Sequence, residues 1–112
     1  MYYLSESVLQ KLEEMQKKDE LCKDLFTELR GLIYRISGEL ITITLTTSPT
    51  LHIEYVENAL KLSNHLQALV VLKAHERKIK TTDELLDCIQ KLRNKLKEYI
   101  QYRRLSLLVR VI

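Results

Sequence analysis

Three histidines, His52, His65 and His75, are the side chains best suited to acid–base or metal chemistry. Side chains share a helix face when they are three or four positions apart, and no two of these histidines have that spacing. His75 is followed by Glu76, but neighbouring side chains on a helix diverge by about 100° and do not readily share one proton path. The histidines therefore predict neither a metal site nor an acid–base pair.

The two cysteines, Cys22 and Cys88, form no C-x-x-C pair and no disulfide framework, so we expect reduced thiols in a cytoplasmic protein. The sequence also lacks a Gly-rich phosphate loop, a G-x-S-x-G elbow and an H-E-x-x-H motif. We therefore expect no catalytic residues, no metal and no cofactor, and a protein that is not an enzyme. A membrane-spanning helix needs about 18 consecutive apolar residues, and every apolar run in the sequence is shorter, so we expect no membrane segment.

Charge is divided unevenly along the 112 residues, whose net charge is +3. Residues 1–60 contain six Lys and Arg against ten Asp and Glu, whereas residues 61–112 contain twelve against five. This asymmetry is typical of acidic and basic helices that pack together, within one chain or across a dimer. It is also compatible with a basic half that binds a polyanion.

The basic residues are densest in residues 91–104, where tyrosines that could stack on bases lie between them. A nucleic-acid site there would use Lys91, Arg93, Lys95, Lys97, Arg103 and Arg104. On a helix these charges flank the apolar stripe on two sides and do not form one ridge. The alternative is that they are the solvated face of a packed helix, with acidic partners in the first half.

Apolar residues at helical spacing predict long helices over most of the chain. One or two helices occupy the first 40 residues, and Gly38 is a plausible stop. Ser48 and Pro49 suit the N-cap and first turn of the next helix. The last helix is predicted to begin at a capping box made by Thr81 and Glu84.

Two segments alternate apolar and polar or β-branched residues, 40–46 ("LITITLT") and 106–112 ("SLLVRVI"). They could pair as a short two-stranded β element, which would need packing on the helices or a second chain. The alternative is that both are helix ends held by tertiary packing. In either case their apolar side chains, with two tyrosines at the N-terminus, predict a protein interface. The residues are Tyr2, Tyr3, Ile41, Ile43, Leu45, Leu107, Val109 and Val111.

The segment "IEYVENALKLSNHLQALVVLKAHERKIK" at residues 53–80 is followed by a further helix and then "LSLLVRVI". In this order of segments, residues 53–112 resemble the helical A domain of archaeal GINS subunits, whose basic turn is matched loosely by Arg77, Lys78 and Ile79. The N-terminal segment and the β domain of that family are not recognisable. The resemblance implies a non-catalytic scaffold of the replication machinery that assembles with sister subunits and the replicative helicase.

The sequence thus predicts one mainly α-helical domain over residues 1–112. Its expected architecture is a three- or four-helix bundle with a possible two-stranded β element. We expect a non-enzymatic interaction or assembly subunit with a protein partner or a second copy. A small nucleic-acid-binding protein is the alternative.

Overall fold

The computed structural model contains four helices: α1 (Tyr2–Lys17), α2 (Lys23–Ile43), α3 (Pro49–His75) and α4 (Asp83–Val111). It describes the backbone of residues 1–111 and the side chains of residues 1–105. The prediction of a mainly helical bundle is confirmed, and the first 40 residues contain two helices.

Short connections make each helix antiparallel to the next, and α1 packs against α4 to close the ring. α3 contacts α2 and α4 but not α1, so the arrangement is an up-down-up-down bundle with α1 and α3 on one diagonal. Within the described residues, no helix is long and apolar enough to cross a membrane.

One apolar core lies between the helices, and α2 and α4 line it with matching rows. The members of each row are three or four residues apart, which keeps their side chains on one face. The row of α2 is Leu25, Leu29, Leu32, Ile36 and Leu40, and that of α4 is Leu85, Ile89, Leu92, Leu96 and Ile100. Every member of one row is separated from its counterpart in the other by the same number of residues.

The turns after α1 and α3 are also alike. Asp19 and Arg77 each have φ of 62°, and the amides that follow, of Glu20 and Lys78, donate to carbonyls five residues back. This hydrogen-bond pattern is the Schellman motif, and glycine is its usual left-handed residue. The molecule therefore consists of two similar hairpins, hairpin 1 (α1–α2) and hairpin 2 (α3–α4).

Buried serines occupy equivalent positions in α1 and α3. The hydroxyls of Ser5 and Ser63 are fully buried, and each donates to the carbonyl three residues earlier at 2.7 Å. Ser5 also shares a 2.9 Å hydrogen bond with buried Ser37 of α2. Because Ser5 and Ser63 are separated by the same distance in sequence as Asp19 and Arg77, the correspondence between the hairpins extends along the helices.

The two turns meet at one end of the bundle and correct the predicted start of α4. Leu21 and Ile79 form an isolated antiparallel bridge between the turns, and both are buried. Thr81 hydrogen-bonds to Glu20 at 2.7 Å, and Glu84 pairs with Lys11 of α1. The capping box is therefore wrong, because its two side chains join the hairpins and α4 begins at Asp83.

The predicted β element does not form in residues 1–111, where both segments are helical up to Ile43 and Val111. Burial of Leu40 continues the α2 row, and this packing outweighs the β preference of the residues after it. Gly38 does not stop α2, since its carbonyl accepts a 2.8 Å hydrogen bond from the Thr42 hydroxyl within the continuing helix. With 40–43 helical, the later segment has no strand to pair with.

Ser48 and Pro49 begin α3 as predicted. The Ser48 hydroxyl accepts a hydrogen bond from the Leu51 amide, and Pro49 is the first helical residue. His52, one turn into α3, contacts the carbonyl of Thr46 at 2.6 Å through Nε2. These contacts hold the α2–α3 connection against the start of α3.

Candidate interaction surfaces

α1 is shorter than its neighbours at the end of the bundle opposite the two turns. Ser5 is level with Ser37, six residues before the end of α2, and Met1 lies in a hollow with Tyr99 and Tyr102 of α4, which runs on to Val111. We call this end of the bundle, opposite the two turns, the open end.

Large apolar side chains are exposed at the open end. Leu45 is 80% exposed, Tyr3 64% and Leu105 62%. The other exposed members of this set are Tyr2, Ile41, Leu51 and Tyr102. We call these seven residues the open-end surface.

The structure brings four of the predicted interface residues to this surface: Tyr2, Tyr3, Ile41 and Leu45. Ile43 is instead partly buried and packs against the core. Leu107, Val109 and Val111 lie outside the residues whose side chains are described. Exposed Leu51, Tyr102 and Leu105 were not among the interface residues predicted from the sequence. The sequence signal for Tyr102 and Leu105 was that both are apolar residues of α4 at positions outside its core row.

The amino group at the open end is next to a cation. Partial burial, and then the charge of Lys95, lower the pKa of the Met1 amine. A hydrogen bond from the neighbouring Tyr2 hydroxyl to Glu6 raises the pKa of that phenol. The Met1 side chain packs against the core beside Tyr99 of α4, whereas the neighbouring Tyr2 is exposed.

A second apolar surface lies on the outer face of α3, opposite buried Leu66 and Val70. Val71 and Leu72 are 51% and 52% exposed, and Ala68 is exposed beside them. We call these three residues the α3 surface. With Asn64, Gln67 and His75 they line a shallow groove of about 540 Å³.

The α3 surface has a polar counterpart in hairpin 1. The positions of α1 equivalent to Ala68, Val71 and Leu72 are those of Gln10, Glu13 and Glu14. Since the same place in the same kind of hairpin is polar in α1, the bundle itself does not require apolar residues on this face. The sequence interpretation took the apolar breadth of α3 as packing on several sides, and thus missed this surface.

The basic residues of α4 are divided between two sides of the helix and are partly paired. Lys91 pairs with Asp87 at 3.1 Å, and Lys95 with Glu98 at 3.7 Å, all of them exposed. The hydrogen bond from Lys91 to Asp87 raises the pKa of that lysine. Exposed pairs of this kind are weak and screened by salt, so they leave the lysines accessible to other anions.

On the α3 side of α4, Arg93 is held by amide side chains. Its Nε donates to Asn64 at 2.7 Å and its Nη1 donates to Gln90 at 2.8 Å, and Gln67 donates to the same Gln90 oxygen. These bonds join α3 to α4, so Arg93 has a structural role.

The remaining predicted nucleic-acid contacts lie towards the open end. Arg104 pairs with Glu57 of α3, and Arg103 stacks on the Tyr99 ring while donating to its hydroxyl at 2.9 Å. Lys97 is exposed and forms no ion pair within the side chains that the structure describes. The six residues therefore do not form one continuous basic ridge.

The residues suited to catalysis or metal binding are dispersed. Within the described part of the chain, no three His, Cys, Asp or Glu side chains converge in a way that could hold a metal ion. Cys22 is exposed and Cys88 is half-buried, and both are free thiols. His65 and His75 are exposed on α3, on the face that carries the α3 surface.

Comparisons with protein-family models, curated proteins and solved structures find no match to the chain. The geometry of the open end and of α3 is therefore the basis for the functional proposals.

Proposed function

We propose that the protein is a non-enzymatic interaction or assembly subunit that binds another protein through the open end. The observation that carries the proposal is the set of large apolar side chains exposed at the open end, of which Leu45 is 80% exposed. Exposed apolar clusters are typical of protein interfaces, and tyrosine adds a hydroxyl that can remain solvated at the rim.

Photo-crosslinking from the open end tests this proposal. A photoreactive amino acid replaces Leu45 in one variant and exposed Thr27, on α2 away from the open end, in a matched control. We expect the first variant to crosslink in cells to a discrete protein that also binds the purified chain. The Leu45→Glu substitution should abolish that binding and Thr27→Glu should preserve it. No discrete crosslink from position 45, or equal crosslinking from both positions, would contradict the proposal.

A nucleic-acid-binding role for α4 is the second candidate. It is favoured by exposed Lys97 and by the weak exposed pairs of Lys91 and Lys95. Binding to a short duplex should weaken steeply as salt increases, because counterions are released from the phosphates. Lys95→Glu with Lys97→Glu should abolish it while leaving the helical content unchanged. Binding that does not depend on salt, or an unchanged affinity, would remove α4 from the role.

The resemblance to archaeal GINS subunits makes this proposal more specific. If it holds, the protein that binds the open end is a sister subunit or a component of the replicative helicase. Direct binding assays with those components would test it, and the Leu45→Glu variant is the matched control.

A further inference from the structure

The α3 surface can serve as one side of a helix–helix contact, or seam, because Ala68, Val71 and Leu72 are exposed together on one face of α3. The outward positions of α3 recur at intervals of four and three residues, as on any helix face, so a second helix lying along α3 would contact them one after another. They are Lys61, His65, Ala68, Leu72 and His75. Ala68 is at the centre, where a small side chain lets another helix approach closely, with Leu72 and Val71 beside it.

The charges along α3 decide which occupant fits this seam. Glu54 is exposed near the start of the helix on its outer face, and exposed Arg77 lies in the turn after its C-terminal end. The nearby Glu57 and Lys78 already form ion pairs within the chain, with Arg104 and Glu76. A second α3 in antiparallel orientation, centred near Ala68, would bring the acidic start of each helix to the basic end of the other. A parallel pairing would instead bring like charges together at both ends.

We infer that the α3 surface binds the α3 surface of a second copy of this chain in an antiparallel, two-fold symmetric dimer. The contact is isologous, so Ala68 lies near Ala68 of the second copy, and the Leu72 side chain of each copy is buried. It leaves the open end exposed on both copies. The dimer would present two open ends to protein partners.

The size of the contact predicts the strength of the dimer. A seam from one pair of helices is at the small end of specific interfaces, so we expect a dissociation constant of about 1 to 100 μM. Sedimentation equilibrium of the wild-type chain over a range of concentrations should show a reversible monomer–dimer transition. A chain that remains monomeric at the highest concentration reached overturns the inference.

Leu72→Glu gives α3 the residue that α1 has at the equivalent position. Because the two-fold repeats the substitution, it should raise the dissociation constant about 100-fold or more. Leu72 is exposed, so the circular dichroism spectrum and melting temperature should remain those of the wild type. Thr27→Glu is the matched control, because Thr27 is exposed on α2 and does not belong to the α3 surface. It should dimerise normally. An unchanged dimer in Leu72→Glu would place the contact elsewhere and overturn the inference.

Cross-linking tests the register. In a chain with Cys22→Ser and Cys88→Ala, Ala68→Cys should be joined to itself by a short bis-maleimide reagent. Gln10→Cys, at the equivalent position of α1, should not be joined. Efficient cross-linking from position 10, or none from position 68 at a concentration where the chain is dimeric, would contradict this seam.

A charge reversal tests the orientation. Glu54→Arg and Arg77→Glu should each weaken the dimer, by about tenfold or less because both sites are exposed. The double variant should recover most of the loss, since each reversed charge again faces its opposite on the other copy. A double variant that is weaker than both single variants would exclude the antiparallel arrangement.

The two surfaces can be tested separately. Leu72→Glu should produce a monomer that still binds the open-end partner, and Leu45→Glu should lose that partner but still dimerise. Loss of the partner alone, loss of the dimer alone and loss of both are therefore different results.

Discussion

Hairpins 1 and 2 share their core rows, the buried serines of their first helices and the turns that follow those helices. They differ on the surface. The outer face of α1 carries Gln10, Glu13 and Glu14, whereas the equivalent face of α3 carries the apolar α3 surface. α1 begins at Tyr2, while α3 extends farther at the same end. The shared features are those that form one core. The differences are in exposed places, where folding does not constrain the residue type, and this is why our proposals place binding there.

The largest expected effect tests whether the two hairpins form one folding unit. Leu92 of α4 and its α2 counterpart Leu32 are 1% and 7% exposed. Leu92→Ala and Leu32→Ala should each lower the free energy of unfolding by about 2 to 5 kcal/mol, and Leu92→Ala by more because it leaves the more enclosed cavity. Urea denaturation followed by circular dichroism should show one transition in both variants.

Thr27→Ala, on the exposed face of α2, should change that free energy by less than about 0.5 kcal/mol. Two separate transitions, one for each hairpin, would show that the shared core does not couple them.

The next largest expected effect is on the free energy of unfolding, and it distinguishes the equivalent serines Ser5 and Ser63. Ser5→Ala removes the partner of the buried Ser37 hydroxyl and should cost about 1 to 3 kcal/mol in the free energy of unfolding. Ser63→Ala loses only a bond within its own helix and should cost about 1 kcal/mol or less. A double-mutant cycle by urea denaturation should show Ser5→Ala with Ser37→Ala costing less than the sum of the single variants. Equal costs for Ser5→Ala and Ser63→Ala would mean that the Ser5–Ser37 bond contributes little.

The smallest effect compares the two left-handed turn residues. Glycine avoids the strain of a Cβ at positive φ, so Arg77→Gly should raise the free energy of unfolding by up to about 1 kcal/mol. Asp19→Gly should raise it by less, because aspartate tolerates this conformation better than arginine. Thermal denaturation measures both.

Lys18→Gly is the matched control, because Lys18 has φ of −87° and glycine offers no relief there. It should leave the melting temperature unchanged or lower it. A larger gain for Asp19→Gly than for Arg77→Gly would contradict the strain argument.

Sequence periodicity was sufficient for the helical class because burial of Leu29, Ile36 and Leu40 needs only correct spacing on one face. The start of α3 was also predictable, since the Ser48 cap bonds to an amide three residues away. The exposure of Tyr3 and Leu45 agrees with the reasoning that selected them for an interface, whose existence remains a prediction.

Two of the failures involve contacts between residues distant in sequence. Thr81 and Glu84 have the spacing of a local cap, but Glu20 and Lys11 of the other hairpin bind them instead. The alternating 40–46 segment looks like a strand by itself, yet burial of Leu40 against the core makes its first four residues helical.

Local signals were enough for the helical class and for the start of α3, because helix spacing, the Ser48 cap and Pro49 act within one or two turns. Tertiary structure alone decided which apolar side chains remain exposed. Val71 and Leu72 belong to the same apolar run as buried Val70, and only the placement of α2 and α4 leaves their side of α3 uncovered. A helix has several faces, and the number of neighbours that pack against it is a property of the whole bundle.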